Sequence, residues 1–173
     1  MADFQIALNI TLSPTHEGGY QDNPNDSGNW TGGKIGAGEL KGTNMGISAE
    51  WYPALDIKNL TKEQASSIYQ LKYWNPLYTQ IKEQDLGNKL FDMGVLMGEG
   101  TAVKILQETL RPQFDLVPDG SFGPKTLEAV NASEPTSLLL AYKTALVAHA
   151  IALGAQDTAK RAFVATWIRR INS

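Results

Sequence analysis

Apolar residues at helical spacing run through most of the chain after residue 60, and this pattern restricts the fold more than any other feature. Thr61-Lys62-Glu63-Gln64 has the arrangement of a capping box, which marks the start of a helix. Further segments with apolar residues three or four positions apart follow at about 85–97, 101–110, 124–130, 135–153 and 155–171. Because these segments leave little chain for a large sheet, we predict a mainly α-helical fold.

One polar segment departs from this pattern near the start of the chain. A first short helix is predicted from Asp3, which can serve as its N-cap, to a stop at Pro14. From Glu17 to Gly46 the composition then changes to Gly, Asn, Asp and Thr. These residues are typical of turns, so we expect a small irregular or β-hairpin region inside the helical fold.

Composition excludes several classes of function. The formal net charge is -3 and most Lys and Arg are scattered, which does not favour a nucleic-acid partner. The chain contains no cysteine, so disulfides, thiolate nucleophiles and thiolate zinc sites are excluded. His16 and His149 lack the paired spacing of metal ligands. We therefore expect no metal and no cofactor.

The N-terminal segment bears on location. Met1-Ala2-Asp3-Phe4-Gln5 has neither the basic start nor the long apolar run of a signal peptide. No later stretch reaches eighteen consecutive apolar residues. The expectation is a protein made in the cytoplasm, with no membrane insertion.

Glu17 is the candidate for acid catalysis. A carboxyl in partly apolar surroundings can stay protonated and act as a proton donor at a sugar acetal. Glu17 lies between an apolar helix and Gly18-Gly19, which leave space for a substrate chain. An isolated glutamate is more often a solvated surface residue, so the surrounding residues have to decide between the two interpretations.

Those surrounding residues resemble a known family. His16-Glu17-Gly18-Gly19-Tyr20, followed by Thr43-Asn44-Met45-Gly46 and Tyr73-Trp74-Asn75-Pro76, resembles the Glu-Gly-Gly-Tyr N-acetylmuramidases, a glycoside hydrolase family among the lysozyme-like endolysins. Asp119-Gly120-Ser121-Phe122-Gly123-Pro124-Lys125-Thr126 is similar to part of the small peptidoglycan-binding unit that follows the catalytic domain in this family. The resemblance implies a lysozyme-like catalytic domain over residues 1–110, with a helical peptidoglycan-binding-like unit over residues 111–173 packed on it.

The resemblance also implies site residues. Glu17 matches the catalytic glutamate, and Asp26 and Thr43 are its natural partners, with Thr31 as the alternative to Thr43. Asp26 also fits an ordinary Asn-Asp-Ser-Gly turn, so catalysis and turn formation stay open for it. The distance between the two carboxyl groups decides whether the second acts as a nucleophile, as a charge stabiliser or by orienting water.

Three further residues are candidates for substrate contact. Tyr20 and Trp30 lie in the polar region and could offer flat apolar faces to sugar rings. Asn44 could hold substrate or fix a turn.

Two expectations concern residues outside the site. Helix capping and surface solvation would explain Asp92 and Glu99. In the last helical segment we expect most of the following residues to face inward: Ala162, Phe163, Ala165, Trp167 and Ile168.

The implied activity is hydrolysis of the β-1,4 bond between N-acetylmuramic acid and N-acetylglucosamine in the glycan strands of peptidoglycan. The implied role is that of a phage or prophage endolysin, a monomer released through a holin to act on the wall in the periplasm. Two alternatives remain: a lytic transglycosylase, in which the muramyl 6-hydroxyl attacks instead of water, and a non-catalytic wall-binding tail component.

Overall fold

Eight α-helices and a small antiparallel sheet make up the computed structural model of the chain, which describes residues 1–14 and 16–173. The helices are α1 Phe4–Thr11, α2 Lys62–Tyr73, α3 Gln84–Met97, α4 Glu99–Leu110, α5 Pro124–Ala132, α6 Pro135–Gln156, α7 Thr158–Arg161 and α8 Val164–Asn172. The mainly α, lysozyme-like prediction is confirmed. The chain divides into a smaller unit, Leu8–Lys72, and a larger unit formed by Met1–Ala7 and Tyr73–Ser173.

The smaller unit contains the sheet. Its strands are β1 Tyr20–Gln21, β2 Thr43–Asn44 and β3 Ile47–Ser48, hydrogen-bonded in the order β1-β2-β3 with antiparallel neighbours. Gln21 lies opposite Thr43 in the register. Strands β1 and β2 lie in the polar segment Glu17–Gly46, in which the composition predicted turns or a hairpin, and β3 follows directly after it.

Two helix starts follow the predicted capping chemistry. The Asp3 carboxylate accepts a 3.0 Å hydrogen bond from the Ile6 amide at the start of α1. At α2, the Gln64 amide donates to the Thr61 hydroxyl at 3.2 Å, and the Thr61 amide donates to the Gln64 side chain at 2.9 Å. Both caps are confirmed, and the second is a complete capping box.

An aromatic cluster lies in the core of the larger unit. Trp74 packs edge-on against Phe4, Tyr78 and Phe91, with ring centroids 5.3, 5.5 and 5.6 Å away. Edge-to-face pairs at this spacing add about 0.5–1.5 kcal/mol each beyond the burial of their area. These contacts hold the start of α1 against Trp74 and, through it, against Tyr78 and helix α3.

Helix α6 is long and apolar enough to cross a membrane by length and composition alone, with a mean hydropathy of 1.6 over its most apolar window. In the structure it contacts α4 and α8, and Tyr142 and Leu146 on it are fully buried. These contacts bury one stripe of the helix, whereas Leu140 and Ile151 on other sides are exposed.

The prediction for the last segment is wrong. Phe163 is 57% exposed, Ala162 and Ala165 are also exposed, and the buried residues of α8 are Arg170 and Ile171. The physical reason is that α8 begins only at Val164, so Ala162 and Phe163 precede it. Within α8, Trp167 and Ile168 are half-buried and lie on the same face as the buried Ile171. The segment predicted to end at about residue 153 continues to Gln156, so Gly154 lies inside α6, where an added Cβ would overlap Val164.

A buried charge cluster joins α3 to α8. The Arg170 guanidinium donates to the Asp92 carboxylate through Nε at 3.2 Å and a terminal nitrogen at 2.9 Å. The Lys89 ammonium donates to the Arg170 carbonyl at 2.9 Å, and burial lowers the pKa of Lys89 to about 8. Asp92 is 1% exposed, so its interpretation as a capping or solvated residue is wrong.

The Asp119-Gly120-Ser121 string is organised by one buried side chain. The Gln107 amide nitrogen donates to the Asp119 carboxylate, the Ser121 carbonyl and the Thr126 hydroxyl at 2.9 to 3.1 Å. The Gln107 oxygen accepts from the Gly120 amide at 2.9 Å. The polar groups of this string therefore fix the loop before α5, since a buried amide has to satisfy both its donors and its acceptor.

Candidate active site

The backbone of Glu17 is tied to the end of α1. Its amide donates to the Thr11 carbonyl at 3.0 Å, and the Gly18 amide donates to the Ser13 carbonyl at 3.0 Å. The Glu17 side chain is half-buried. These bonds fix where the side chain leaves the backbone, just before β1 begins.

The Glu17 carboxyl lies beside the β2–β3 turn. The two turn residues, Met45 and Gly46, both have positive φ, 49° and 71°, which is the pattern of a type I′ hairpin turn. The buried Tyr69 hydroxyl donates to the Met45 carbonyl at 3.0 Å, and the Met45 amide donates to the Gly19 carbonyl at 3.0 Å. The turn is therefore held from two directions, and it forms a firm wall for the carboxyl.

The absence of a side chain at Gly46 is what allows Glu17 to sit there. A Cβ at Gly46 would lie 2.5 Å from the Tyr69 hydroxyl oxygen and 2.8 Å from Glu17 Oε2. Gly46→Ala is expected to displace the carboxyl and to lower the cleavage rate of the substrate by about ten- to a hundredfold, because misplacement of about 1 Å can cost that much. Cleavage rates and thermal unfolding of the variant measure both effects.

Gly36→Ala is the matched control for this variant. Gly36 has a similar φ of 79° but no atom within 4 Å of an added Cβ. It carries the backbone strain of an L-residue, about 1–2 kcal/mol, without the overlap. An equal loss of activity in both variants would show that strain, and not the displaced carboxyl, is responsible.

Asp26 caps a short 3-10 helix and also contacts β1. Its Oδ1 accepts from the Gly28 amide at 3.0 Å at the start of Ser27–Asn29, and its Oδ2 accepts from the Gln21 side-chain nitrogen at 3.2 Å. The residue is exposed. Oδ1 forms the cap and Oδ2 is hydrogen-bonded to a residue of the sheet. Turn formation and catalysis therefore both stay open as roles of Asp26.

Thr43 joins the same region from β2. Its hydroxyl donates to Asn29 Oδ1 at 2.7 Å, and Asn29 in turn bonds to Gln21, which contacts Asp26. The Thr31 hydroxyl instead accepts from the Glu39 amide at 2.9 Å. A chain of side-chain hydrogen bonds thus joins Asp26 to Thr43, and Gln21 and Asn29 in it were missed at the level of the sequence.

Tyr20 lines a pocket of about 360 Å³ in the smaller unit, together with Leu40, Lys41, Asp56 and other residues. The Tyr20 hydroxyl donates to the Lys41 carbonyl at 3.3 Å. Burial, and then the neighbouring Asp22 carboxylate, raise the pKa of this hydroxyl above its ordinary value. The phenol therefore stays protonated and keeps its hydrogen bond to the Lys41 carbonyl.

Trp30 and Asn44 hold backbone groups. The Trp30 indole nitrogen donates to the Pro24 carbonyl at 2.9 Å, and the ring is half-buried. The Asn44 side chain donates to the carbonyls of Ile57 and Lys58 at 3.0 and 3.3 Å. The Asn44 amide thereby fixes one wall of the pocket that Tyr20 lines. Within residues 1–14 and 16–173, no three His, Cys, Asp or Glu side chains are grouped so that they could hold a metal ion.

Comparison with known proteins gives two family matches and a structural match. Residues 10–98 match the family model described as glycosyl hydrolase 108, and residues 101–172 match the model described as predicted peptidoglycan domain. The solved structure of SagA from Brucella abortus is 28% identical and covers 98% of this chain and 91% of its own, with a TM-score of 0.68. No curated protein matches the chain. Glu17, Asp26 and Thr43 all fall inside the first match.

Proposed function

Because the chain belongs to the glycosyl hydrolase 108 family, we propose that it hydrolyses the β-1,4 bond between N-acetylmuramic acid and N-acetylglucosamine, with Glu17 as general acid. The coarser activity is that of a glycoside hydrolase acting on peptidoglycan. The observation that carries the proposal is the half-buried Glu17 carboxyl beside the clamped Met45–Gly46 turn.

A general acid has to present its proton at a fixed position beside the leaving oxygen. The Glu17 backbone is bonded to the end of α1, and the turn beside its carboxyl is bonded to Tyr69 and Gly19. This support limits the movement of the carboxyl during the reaction. Glu17 is therefore the group that protonates the glycosidic oxygen as the bond breaks.

We assign the second catalytic position to Asp26, with Thr43 beside it. Both residues belong to the smaller unit, as Glu17 does, and a chain of hydrogen bonds connects them. A carboxylate opposite the acid can stabilise an oxocarbenium-like charge, attack it or hold water, and the separation of the two carboxyls selects the outcome. The Thr43 hydroxyl adds a polar group at the same place.

Substrate contact is assigned to Tyr20, Trp30 and Asn44. The Tyr20 pocket, at about 360 Å³, is within the range of small-ligand pockets and combines apolar walls with a phenol. Trp30 offers part of its ring to solvent. Asn44 acts by holding the carbonyls of Ile57 and Lys58 in the pocket wall. We further assign catalysis to residues 1–110 and wall binding to residues 111–173.

The test is end-group analysis of the products. Purified peptidoglycan is treated with the wild-type chain or with Glu17→Gln, and the soluble products are examined by mass spectrometry. New reducing muramic-acid ends from the wild type, absent with the variant, are expected. Anhydro-muramic ends would show that the enzyme is a lytic transglycosylase and not a hydrolase. Binding to walls without release of any ends would show a non-catalytic wall-binding protein.

We extend the proposal to a phage or prophage endolysin, a monomer made in the host cytoplasm that reaches the wall through a holin. The support is that one chain combines a glycosidase family match with a peptidoglycan domain match. Expression in a bacterial cell is expected to cause lysis when a holin is co-expressed. Lysis of equal extent without the holin would contradict this route of release.

A further inference from the structure

The side chains of Gln21 and Asn29 form a reciprocal pair of amides between Asp26 and Thr43. Gln21 Nε2 donates to Asn29 Oδ1 at 3.0 Å, and Asn29 Nδ2 donates to Gln21 Oε1 at 2.8 Å. Asn29 is fully buried, whereas Gln21 lies on the outer side of β1. The pair therefore connects the buried Asn29 side chain to the exposed Asp26 carboxylate.

Every hydrogen-bonding group of the two amides is used. The second hydrogen of Gln21 Nε2 is donated to Asp26 Oδ2 at 3.2 Å, and the second hydrogen of Asn29 Nδ2 to the Asn23 carbonyl at 3.0 Å. Gln21 Oε1 also accepts from the Asn23 amide at 3.1 Å, and Asn29 Oδ1 accepts from the Thr43 hydroxyl at 2.7 Å. A side-chain amide has two N–H donors and one oxygen that can accept two hydrogen bonds. All of these are in use, so none of the hydrogen bonds can change direction.

This arrangement fixes the direction of the bonds at both ends. Thr43 gives its only hydrogen to Asn29, so toward the substrate its hydroxyl can only accept a hydrogen bond. At the other end, Asp26 Oδ1 is held by the Gly28 amide and Oδ2 by Gln21, so the plane of the carboxylate is set. The Asp26 carboxylate and the Thr43 hydroxyl therefore both act as hydrogen-bond acceptors. They can accept hydrogen bonds from a water molecule or a sugar hydroxyl.

We propose that Gln21 and Asn29 are positioning residues, which orient the Asp26 carboxylate and fix the Thr43 hydroxyl as an acceptor toward the substrate. The inference rests on the proposed function, because it assigns these two groups to the reaction. Gln21 is the residue to change, since it is exposed and its replacement leaves the buried Asn29 in place.

The experiment measures kcat and KM for release of reducing ends by Gln21→Ala and Gln21→Glu. Gln70→Ala is the matched control, because Gln70 is exposed on α2 in the same unit. We expect Gln21→Ala to lower kcat by about ten- to a hundredfold with little change in KM, as for a misplaced catalytic group. The thermal midpoint is expected to fall by several degrees, because Gln21→Ala removes one hydrogen-bond donor and one acceptor from the buried Asn29 amide.

Gln21→Glu separates orientation from packing. The glutamate has the same shape and keeps an acceptor for Asn29, but it replaces the nitrogen that donates to both Asp26 and Asn29 with an oxygen. We expect it to restore no more activity than alanine, whereas a residue that only fills space would be rescued by it.

A wild-type kcat in either Gln21 variant overturns the proposal. Failure of the proposed function is seen separately, as equal release of ends by the wild type and by Glu17→Gln.

Discussion

Glu17→Gln is expected to slow the release of muramic-acid ends by about 10²- to 10⁴-fold, the range that a general acid contributes. Glutamine keeps the size of the side chain beside the Met45–Gly46 turn but cannot transfer a proton to the leaving oxygen. The backbone bonds of Glu17 to the end of α1 do not involve its side chain. The variant should therefore fold normally and still bind peptidoglycan.

Glu63→Gln is the control for the loss of one negative charge. Glu63 is exposed in the first turn of α2, in the same unit as Glu17, and its replacement should leave the rate within about twofold of wild type, since an exposed carboxylate contributes little. Initial rates on purified walls, with sedimentation to measure binding, give both quantities. Equal rates for Glu17→Gln and wild type would remove Glu17 from the mechanism, and lost binding would point to a damaged fold.

Local signals in the sequence were sufficient for most helices. Asp3 and the Thr61–Gln64 box were predicted as helix starts, and both form the expected hydrogen bonds. Capping depends only on residues a few positions apart, so the sequence states it directly. The Glu17-Gly18-Gly19-Tyr20 string is likewise local, which is why the candidate acid could be named from the sequence.

The surroundings of Glu17 could not be predicted in the same way. Gly46 and Tyr69 lie far along the chain from Glu17. The turn that contains Gly46 lies beside the carboxyl, and Tyr69 on α2 donates to this turn, only because these segments are packed in one unit. Gln21 and Asn29 look like ordinary polar residues in a turn-rich segment. Their pairing depends on the register that places Gln21 opposite Thr43, and a strand of two residues carries too little pattern to fix a register.

Charge caused the clearest error. Asp and Arg are almost never fully buried unless they are paired, so a sequence taken one residue at a time places them at the surface. Asp92 and Arg170 lie on helices at opposite ends of the larger unit's sequence, and their pairing is a property of the folded chain. The error at Phe163 is separate, because Phe163 is the N-cap residue of α8 and precedes the helix.

Arg170→Met is expected to lower the free energy of unfolding by about 3–5 kcal/mol, because it removes the guanidinium from a carboxylate that is 1% exposed. Lys89 lies 4.0 Å from Asp92 and compensates only in part, because at that distance its ammonium does not replace the hydrogen bonds that the Arg170 guanidinium makes at 2.9 and 3.2 Å. Adding Asp92→Leu to Arg170→Met should restore only part of the stability, because it removes the unpaired carboxylate but leaves the buried Lys89 ammonium without its acidic neighbour. Urea unfolding of the single and double variants measures the difference. A double variant as unstable as Arg170→Met would mean that lost packing between α3 and α8, and not the unpaired charge, is responsible.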